Sequence, residues 1–421
     1  MMTEEINKGV VISHPGHLLV AYQAAQGLQD AGMLDGFETG FYYKQGLLSR
    51  ALLAMLPKRI SVRVLRQLRR RTHAGLLPDR VRTHPIREIV YVLSARSPAL
   101  RGWSEKMLQL RNEYFDAKVG RIVRDNRPRA VICYDSCALH TFDAAKKVDA
   151  LCILDQVIGH IRTGGDILAE ERLLHPEFAD SIPEPASSWA LERCSKEALS
   201  ADMVIAPSEY VLDSLVMNGV HPANIVLCPY GVDTSQFVPA INNETRPFRI
   251  LFVGQLSQRK GIKYLLEAVK GLRLENAELV LMGGISGGGG WVNSYAGCFR
   301  HVCHVPYSEL PGYYQAADIF VYPSLHEGSA LAIYEAMASG LPVITTHNSG
   351  SVVRDGVDGF IVPIRDVDAL QEKIRLLYAN KELRARMGQQ SRKRAESFTW
   401  DAYRTRLVAL VGNRIQGQAP C

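Results

Sequence analysis

The stretch from Asp318 to Thr346 constrains the fold more than any other part of the chain. Asp318-Ile-Phe-Val-Tyr322 is a short apolar run, the pattern of a buried strand. Pro323 and Gly328 bracket a loop. Ala330, Leu331, Ala332, Glu335, Ala336 and Met337 favour a helix from about Ala330, and Gly340 with Pro342 just beyond stops it. Leu341 to Thr345 then predicts the next strand. One strand, one loop, one helix and one strand in succession are the building block of a parallel sheet covered by helices.

The chemistry of this stretch lies in the loop and the first helical turns. Glu327 stands before the helix and Glu335 about two turns inside it. Between them the amides of Ser329, Ala330 and Leu331 form a helix N-terminus, which attracts anions. A rise of about 1.5 Å per residue separates the two carboxylates by roughly 10 Å. A nucleoside-diphosphate sugar has that layout: a hydroxylated sugar, a pyrophosphate and a hydroxylated ribose. Taken alone, the pair also fits an ordinary exposed helix with two solvated glutamates.

The wider stretch narrows the choice. Glu327-x7-Glu335, followed by Ala-Met-Ala-Ser-Gly-Leu-Pro-Val, closely resembles the donor-sugar signature of the retaining glycosyltransferases of family 4, which have the GT-B fold. Downstream, Asp355-Gly-Val-Asp-Gly-Phe-Ile-Val-Pro363 resembles the segment that follows it in that family. Upstream, Val253-Gly-Gln-Leu-Ser-Gln-Arg-Lys-Gly-Ile262 resembles its phosphate-binding loop. The resemblance is strong from Met203 to about Thr399 and weak before that.

The resemblance implies an α/β protein of two Rossmann-like domains facing an interdomain cleft. Residues 1–238 would bind the acceptor and 248–397 the nucleotide sugar, with 398–421 a helix crossing back to the first domain. It implies hexosyl transfer with retention, from a nucleoside-diphosphate sugar to a glycan or lipid-linked acceptor. Attack would come from the front face, with the leaving phosphate taking the acceptor's proton. No metal and no other cofactor is expected. Gly254, Gly328, Ser329, Ala330 and Leu331 would lie along the donor, His304 and Val305 would meet the nucleobase, and Glu335 would hold the ribose hydroxyls. Glu327 would contact the sugar, and Arg259 and Lys260 the pyrophosphate, Arg as a fork and Lys as a point charge. Two departures stand out. Gln255 occupies a position where many members carry Arg, and Ser329-Ala330 replaces a frequent Phe-Gly. A nucleotide-sugar epimerase on the same fold and a non-catalytic nucleotide-sugar-binding subunit are the alternatives.

The N-terminal half carries fewer signals. Gly9 to Ser13 predicts the first strand, and the loop His14-Pro-Gly-His17 follows it. In an open parallel sheet that loop faces a ligand crevice, so His14, Gly16 and His17 could approach an acceptor. A plain turn with surface histidines is the alternative. Ala130–Tyr134 and Ala150–Leu154 predict further strands, the second leading into Asp155 and then His160. A carboxylate and an imidazole at the carboxyl end of a strand lie where such sheets bind ligands. By the family resemblance, this region supplies a histidine near the transferred sugar, and His160 is the candidate, a loop histidine with no role being the alternative. The glycines between Gly283 and Gly290 predict a flexible loop and do not form a dinucleotide fingerprint. Cys298, His301, Cys303 and His304 are too compressed for the usual zinc spacing.

A chain of 421 residues has room for two domains of ordinary size. It has no run of about 18 apolar residues, so no transmembrane helix is expected. Val10–Val20 is interrupted by His14, Pro15, Gly16 and His17 and does not read as a signal peptide. The eight scattered cysteines read as small core residues in a reducing cytosol, not as a disulfide framework. The net charge of +6 is a local matter. Residues 50–73 hold eight Lys/Arg and no Asp/Glu, with Leu52, Leu53, Leu56, Ile60, Val64, Leu65 and Leu68 at helical spacing. A basic amphipathic segment suits an anionic membrane surface, which predicts a cytoplasmic protein peripheral on the inner face of the plasma membrane. A helix packed on its own domain with a solvated basic rim is the alternative. No nucleic-acid module accompanies the charge, so no nucleic-acid partner is expected.

Overall fold

The computed structural model describes residues 9–44, 57, 61, 65, 68, 71–96, 102–240 and 246–417. These divide into two compact units. One holds the residues up to Asp155, Glu192–Ile205 and those from Arg404 onward; the other holds Gln156–Leu191 and Ala206–Tyr403.

In the first unit the strands β1 (Val10–His14), β2 (Leu34–Thr39), β3 (Val81–Thr83), β4 (Ala130–Tyr134), β5 (Leu151–Asp155) and β6 (Met203–Ala206) lie in the order β3-β2-β1-β4-β5-β6. Every neighbouring pair is parallel. β4 is buried along its whole length, as expected of a strand with helices on both faces. The chain adds strands to one side of β1 and then returns to add β4, β5 and β6 on the other. The carboxyl ends of β1 and β4 therefore mark a topological switch point, where such sheets bind ligands.

The second unit begins with the helix Ile161–Leu174 and includes the short strand β7 (Ile225–Leu227). Its sheet comprises β8 (Phe248–Val253), β9 (Ala277–Met282), β10 (Arg300–Val302), β11 (Ile319–Tyr322), β12 (Val343–Thr346) and β13 (Gly359–Val362). Their order is β10-β9-β8-β11-β12-β13, again all parallel. The switch point lies between β8 and β11. The predicted unit around Asp318–Thr346 is present: β11, a loop, the helix Leu331–Ala338 and β12. Gly340, at φ +75°, takes the left-handed turn that ends the helix.

One expectation changes. The glycine-rich stretch is not simply a flexible loop, because it runs into a 3-10 turn at Gly290–Tyr295. Trp291 of that turn is buried and stacked on Phe178, ring centroids 5.4 Å apart, and this apolar anchor holds the turn in place. Most of the basic segment 50–73 lies outside the described residues. Its described end is fixed to the first unit. Arg71 pairs with Glu88 at 2.7 Å, and the His73 ring stacks on Tyr22 at 5.8 Å. Of the linker Pro239–Pro247, residues 241–245 lie outside the described residues. Among the described residues, no helix is long and apolar enough to cross a membrane, and the seven cysteines are free thiols, five of them buried.

Candidate functional site

β8 and β11 are neighbours, and the loops leaving their carboxyl ends are knitted together. After β8 the chain passes through Gly254 to a 3-10 turn, Gln258–Lys260, and then through Gly261 into the helix Ile262–Leu272. Gly261 has φ +70°, and a Cβ there would lie 1.9 Å from the Pro323 carbonyl oxygen. Only glycine lets the two loops approach this closely. The Leu325 amide donates to the Arg259 carbonyl at 2.9 Å, and Ser324 Oγ donates to the same oxygen at 3.1 Å. The turn after β12 supports this loop from the other side. Ser349 Oγ donates to the Tyr322 carbonyl at 3.0 Å, and Asn348 Nδ2 to that of Leu325 at 2.8 Å.

This backbone brings three predicted residues to one point. Arg259 Nη1 donates to Glu327 Oε1 at 2.5 Å and to the His326 carbonyl at 2.8 Å. The Lys260 ammonium pairs with the same Glu327 oxygen. Lys260 is buried, and its ammonium lies 5.2 Å from the Tyr322 ring centroid. Burial pulls its pKa down to about 8, with Glu327 opposing the shift and Arg259 adding to it. The cluster sets two basic side chains against one carboxyl group.

The segment before the helix Ile161–Leu174 packs onto the same loop. The Gly159 amide donates to the Glu327 carbonyl at 3.1 Å, and a Cβ on Gly328 would lie 1.7 Å from the Val157 carbonyl oxygen. His160 follows at once. It is buried, its amide donates to Ser214 Oγ at 2.9 Å, and its Nδ1 accepts the Arg162 amide at 3.3 Å, which caps the helix. Burial lowers its pKa to about 4, so the ring is neutral at pH 7. His326 lies in the same layer, with its Nδ1 2.7 Å from the Tyr210 hydroxyl and its pKa pulled down to about 4 by burial. A Cβ on Gly164 would come within 2.3 Å of the His326 ring. Neither His326 nor Tyr210 was expected from the sequence. The only signals were the adjacency of His326 to Glu327 and the paired glycines, Gly164 and Gly165.

Glu335 sits apart from this cluster, half-buried on the helix Leu331–Ala338. The hydroxyls of Tyr314 and Tyr307 donate to its carboxylate at 2.8 and 3.2 Å. Burial raises its pKa to about 7, and the two hydrogen bonds restrain the rise. A carboxylate offers about four lone-pair positions, so two remain for a further donor pair. The helix N-terminus differs from expectation in one respect. The Ala330 amide donates to the Ser349 carbonyl at 3.2 Å, because the hydrogen-bonded turn after β12 carries that carbonyl to it. Ala330 is the N-cap, and the helix begins at Leu331. The hydroxyl of Ser329 also faces inward, 2.9 Å from the Tyr334 hydroxyl.

Gly254 lies under Gly283, since a Cβ on Gly283 would stand 1.8 Å from the Gly254 carbonyl oxygen. Gln255 reaches Ser286 Oγ at 3.2 Å. His304 is exposed and Val305 half-buried, just beyond β10. Among the described residues, no group of three or more His, Cys, Asp or Glu is gathered as a metal site. The acids of the Asp355–Pro363 motif serve the turn itself. Asp355 Oδ1 accepts the Ile361 amide at 2.9 Å, and buried Asp358 pairs with Arg354 at 2.6 Å.

The remaining candidates belong to the first unit, at its switch point. His14 ends β1, and its ring lies 5.1 Å from that of Tyr134 at the end of β4. Its Nδ1 meets the Gly16 carbonyl at 3.1 Å, so in the neutral ring Nδ1 carries the proton. Burial lowers the His14 pKa to about 4. His17 follows in the loop, its ring 5.3 Å from that of Tyr22. Asp155 ends β5 in register with Tyr134. Burial raises its pKa to about 7, and Asp135, also raised by burial to about 6, adds to the effect.

Residues 233–394 match the family model described as glycosyl transferases group 1. A D-inositol 3-phosphate glycosyltransferase from Corynebacterium jeikeium (strain K411) is 30% identical over 231 residues, which are 48% of this chain and 55% of that protein. The O-antigen chain mannosyltransferase B of Escherichia coli is 26% identical over 242 residues, 52% of this chain and 62% of that protein. The chain thus spans rather more than half the length of these curated relatives. A sucrose-phosphate synthase from Thermosynechococcus elongatus superposes over 98% of this chain and 100% of its own, with a TM-score of 0.68 at 18% identity. The fold is GT-B, with two parallel-sheet α/β domains.

Proposed function

We propose that this protein is a retaining glycosyltransferase of family 4 that transfers a hexosyl group from a nucleoside-diphosphate sugar to a glycan or lipid-linked acceptor. The observation that carries this is the convergence of Arg259 and Lys260 on Glu327 at the carboxyl end of the second sheet. In transfer, the anomeric carbon–oxygen bond to the diphosphate breaks and negative charge grows on the departing phosphates. Arg259 and Lys260 stabilise that charge, the role a metal ion plays in other enzymes. The acceptor oxygen bonds to the anomeric carbon on the same face, and its proton passes to the leaving phosphate. Glu327 offsets positive charge developing at the anomeric centre. Neutral His160 hydrogen-bonds a sugar hydroxyl, Glu335 accepts the ribose diol, and the acceptor belongs to the first unit at His14, Gly16, His17 and Asp155. Isothermal titration of the full chain with UDP, GDP, ADP and dTDP tests the donor site. Binding of none of them overturns it. Incubation with the matching nucleotide sugar and no acceptor distinguishes a transferase, which leaves the sugar's configuration unchanged, from an epimerase, which converts it.

The acceptor side of the proposal includes an anionic membrane surface. The helix Pro85–Arg96 exposes Ile86, Ile89, Val90 and Leu93, and Trp103 beyond it is also exposed. These four sit at i, i+3, i+4 and i+7, one stripe of a helix. The basic segment 50–73 that precedes it in the sequence carries eight Lys/Arg and no Asp/Glu, a charge that selects anionic lipid headgroups. An apolar stripe that follows a basic segment in the sequence supports docking of the first unit at the inner face of the plasma membrane, with a lipid-linked acceptor in surface polysaccharide or glycolipid synthesis.

A further inference from the structure

The helix Ile161–Leu174 carries His160 at its N-cap and Glu171 in its last turn. Glu171 is fully buried. Gln258 Nε2 donates to its carboxylate at 2.6 Å, Arg365 Nε at 2.5 Å, and the Tyr264 hydroxyl lies 3.0 Å from both oxygens. A buried carboxylate this fully enclosed by donors fixes the groups around it, because moving any of them leaves a desolvated charge short of a partner.

Gln258 is the group that matters. It is the first residue of the turn that carries Arg259 and Lys260, and it is itself fully buried. Each of its polar ends is held: Nε2 by Glu171, Oε1 by the Lys263 amide at 3.3 Å, and its own amide by Ser181 Oγ at 3.0 Å. Arg365 has φ +67°, a left-handed conformation uncommon for a residue other than glycine. Its guanidinium bonds Glu171 and also Glu170, at 2.7 Å, so two acids hold it there. One helix therefore fixes His160 at its start and the base of the Arg259–Lys260 turn at its end.

On the donor-site reading given above, we propose that Glu171 is a positioning residue for the reaction. Through Gln258 it sets the orientation of Arg259 and Lys260 toward the diphosphate, and by sharing a helix with His160 it ties that orientation to the sugar contact. Geometry of this kind matters because a leaving-group clamp must be aligned before charge develops.

The test uses the full chain and inorganic pyrophosphate, which reports on the clamp without requiring the base or the sugar. Dissociation constants are measured by titration calorimetry for wild type, Glu171→Gln, Lys260→Ala and the double variant, with thermal midpoints alongside. Glu171→Gln keeps the side-chain volume and removes the charge. We expect Lys260→Ala to weaken pyrophosphate about tenfold, Glu171→Gln about fivefold, and the double variant less than the product, because the part of the Glu171 effect that runs through Lys260 is already lost when Lys260 is removed. If Lys260→Ala leaves pyrophosphate binding unchanged, the donor-site reading fails. If Lys260→Ala weakens binding but Glu171→Gln stays within twofold of wild type, or the two losses multiply, the positioning role fails even if the thermal midpoint drops. Should Glu171→Gln not fold, Gln258→Leu cuts the same link from the other side and is held to the same outcomes.

Discussion

Lys260 and Glu327 form an ion pair that leaves the ammonium buried against Tyr322, with its pKa pulled down to about 8. On the proposed donor site, the carboxylate occupies part of the positive charge that a diphosphate would meet. Glu327→Gln should therefore have opposite effects on binding and on turnover. It should tighten inorganic pyrophosphate or nucleoside-diphosphate binding by roughly fivefold, about 1 kcal/mol. It should also lower turnover, because nothing then offsets charge at the anomeric centre. Calorimetry and an initial-rate assay check both arms. Weaker diphosphate binding in the variant would show that Glu327 holds the cations in place more than it competes for them.

The pH dependence of nucleotide binding should have two limbs. The Lys260 pKa is lowered to about 8, so the ammonium is charged below that pH and loses its charge as pH rises through it. Diphosphate affinity should fall above about pH 8. The Glu335 pKa is raised to about 7, so its carboxylate form dominates above that pH and is lost as pH falls through it. Affinity should fall below about pH 7. Titrations from pH 5.5 to 9.5, chosen to bracket both groups, should show Lys260→Met losing the alkaline limb and Glu335→Gln losing part of the acid limb, the remainder being the nucleotide's own protonation. A wild-type profile flat from pH 7 to 9.5 would remove Lys260 from the contact.

Glu335→Gln should weaken nucleoside-diphosphate binding by about 1–3 kcal/mol, the scale of a hydrogen bond to a charged group. Pyrophosphate binding should not change, since the Glu335 carboxylate is held by Tyr307 and Tyr314 while Arg259 and Lys260 pair with Glu327. Equal losses for the nucleotide and for pyrophosphate would mean a structural effect instead of a ribose contact.

Membrane docking predicts sedimentation with anionic phospholipid vesicles that weakens as salt rises. Ile89→Asp with Leu93→Asp should abolish it by removing the apolar stripe. Arg66, Arg69 and Arg70 changed together to Gln should reduce it, each basic residue contributing roughly 1 kcal/mol near the surface. Arg71 is left intact because it holds Glu88. Nucleotide affinity should stay unchanged in both variants. Equal sedimentation of wild type and variants, or none by any, makes a soluble acceptor the better reading.

The parts of the second sheet that were legible in the sequence are those with local signals. Asp318-Ile-Phe-Val-Tyr322 is a short apolar run ended by Pro323, and Gly340 with Pro342 marks the end of the helix after β11. Arg259, Lys260 and Glu327 stood out through their motifs, although their meeting at one oxygen joins residues 68 positions apart. The Glu171 network was not legible. Glu170 and Glu171 are adjacent acids on a polar helix and look alike, yet only Glu171 is fully buried. Its partners Gln258 and Arg365 lie 87 and 194 positions away, and no periodicity encodes that. Trp291 was hidden for a similar reason: the glycines before it suggested a loose loop, while its stacking partner Phe178 lies far back in the sequence.

The grouping of residues 156–191 with the second unit bears on how the chain can be cut. A fragment started at the linker near residue 246 would carry every residue of the Arg259–Lys260–Glu327 cluster, yet it would lose Glu171, Ser181 and Phe178. Gln258, Tyr264 and Arg365 would be left without their shared carboxylate, and the apolar face of Trp291 would be bared to water. Splicing this half onto another first domain carries the same risk, because Gln156–Leu191 would come from the wrong parent. A chimera that keeps Gln156–Leu191 with its own second half, despite the long detour through the sequence, is the one whose Gln258–Lys260 turn should remain ordered.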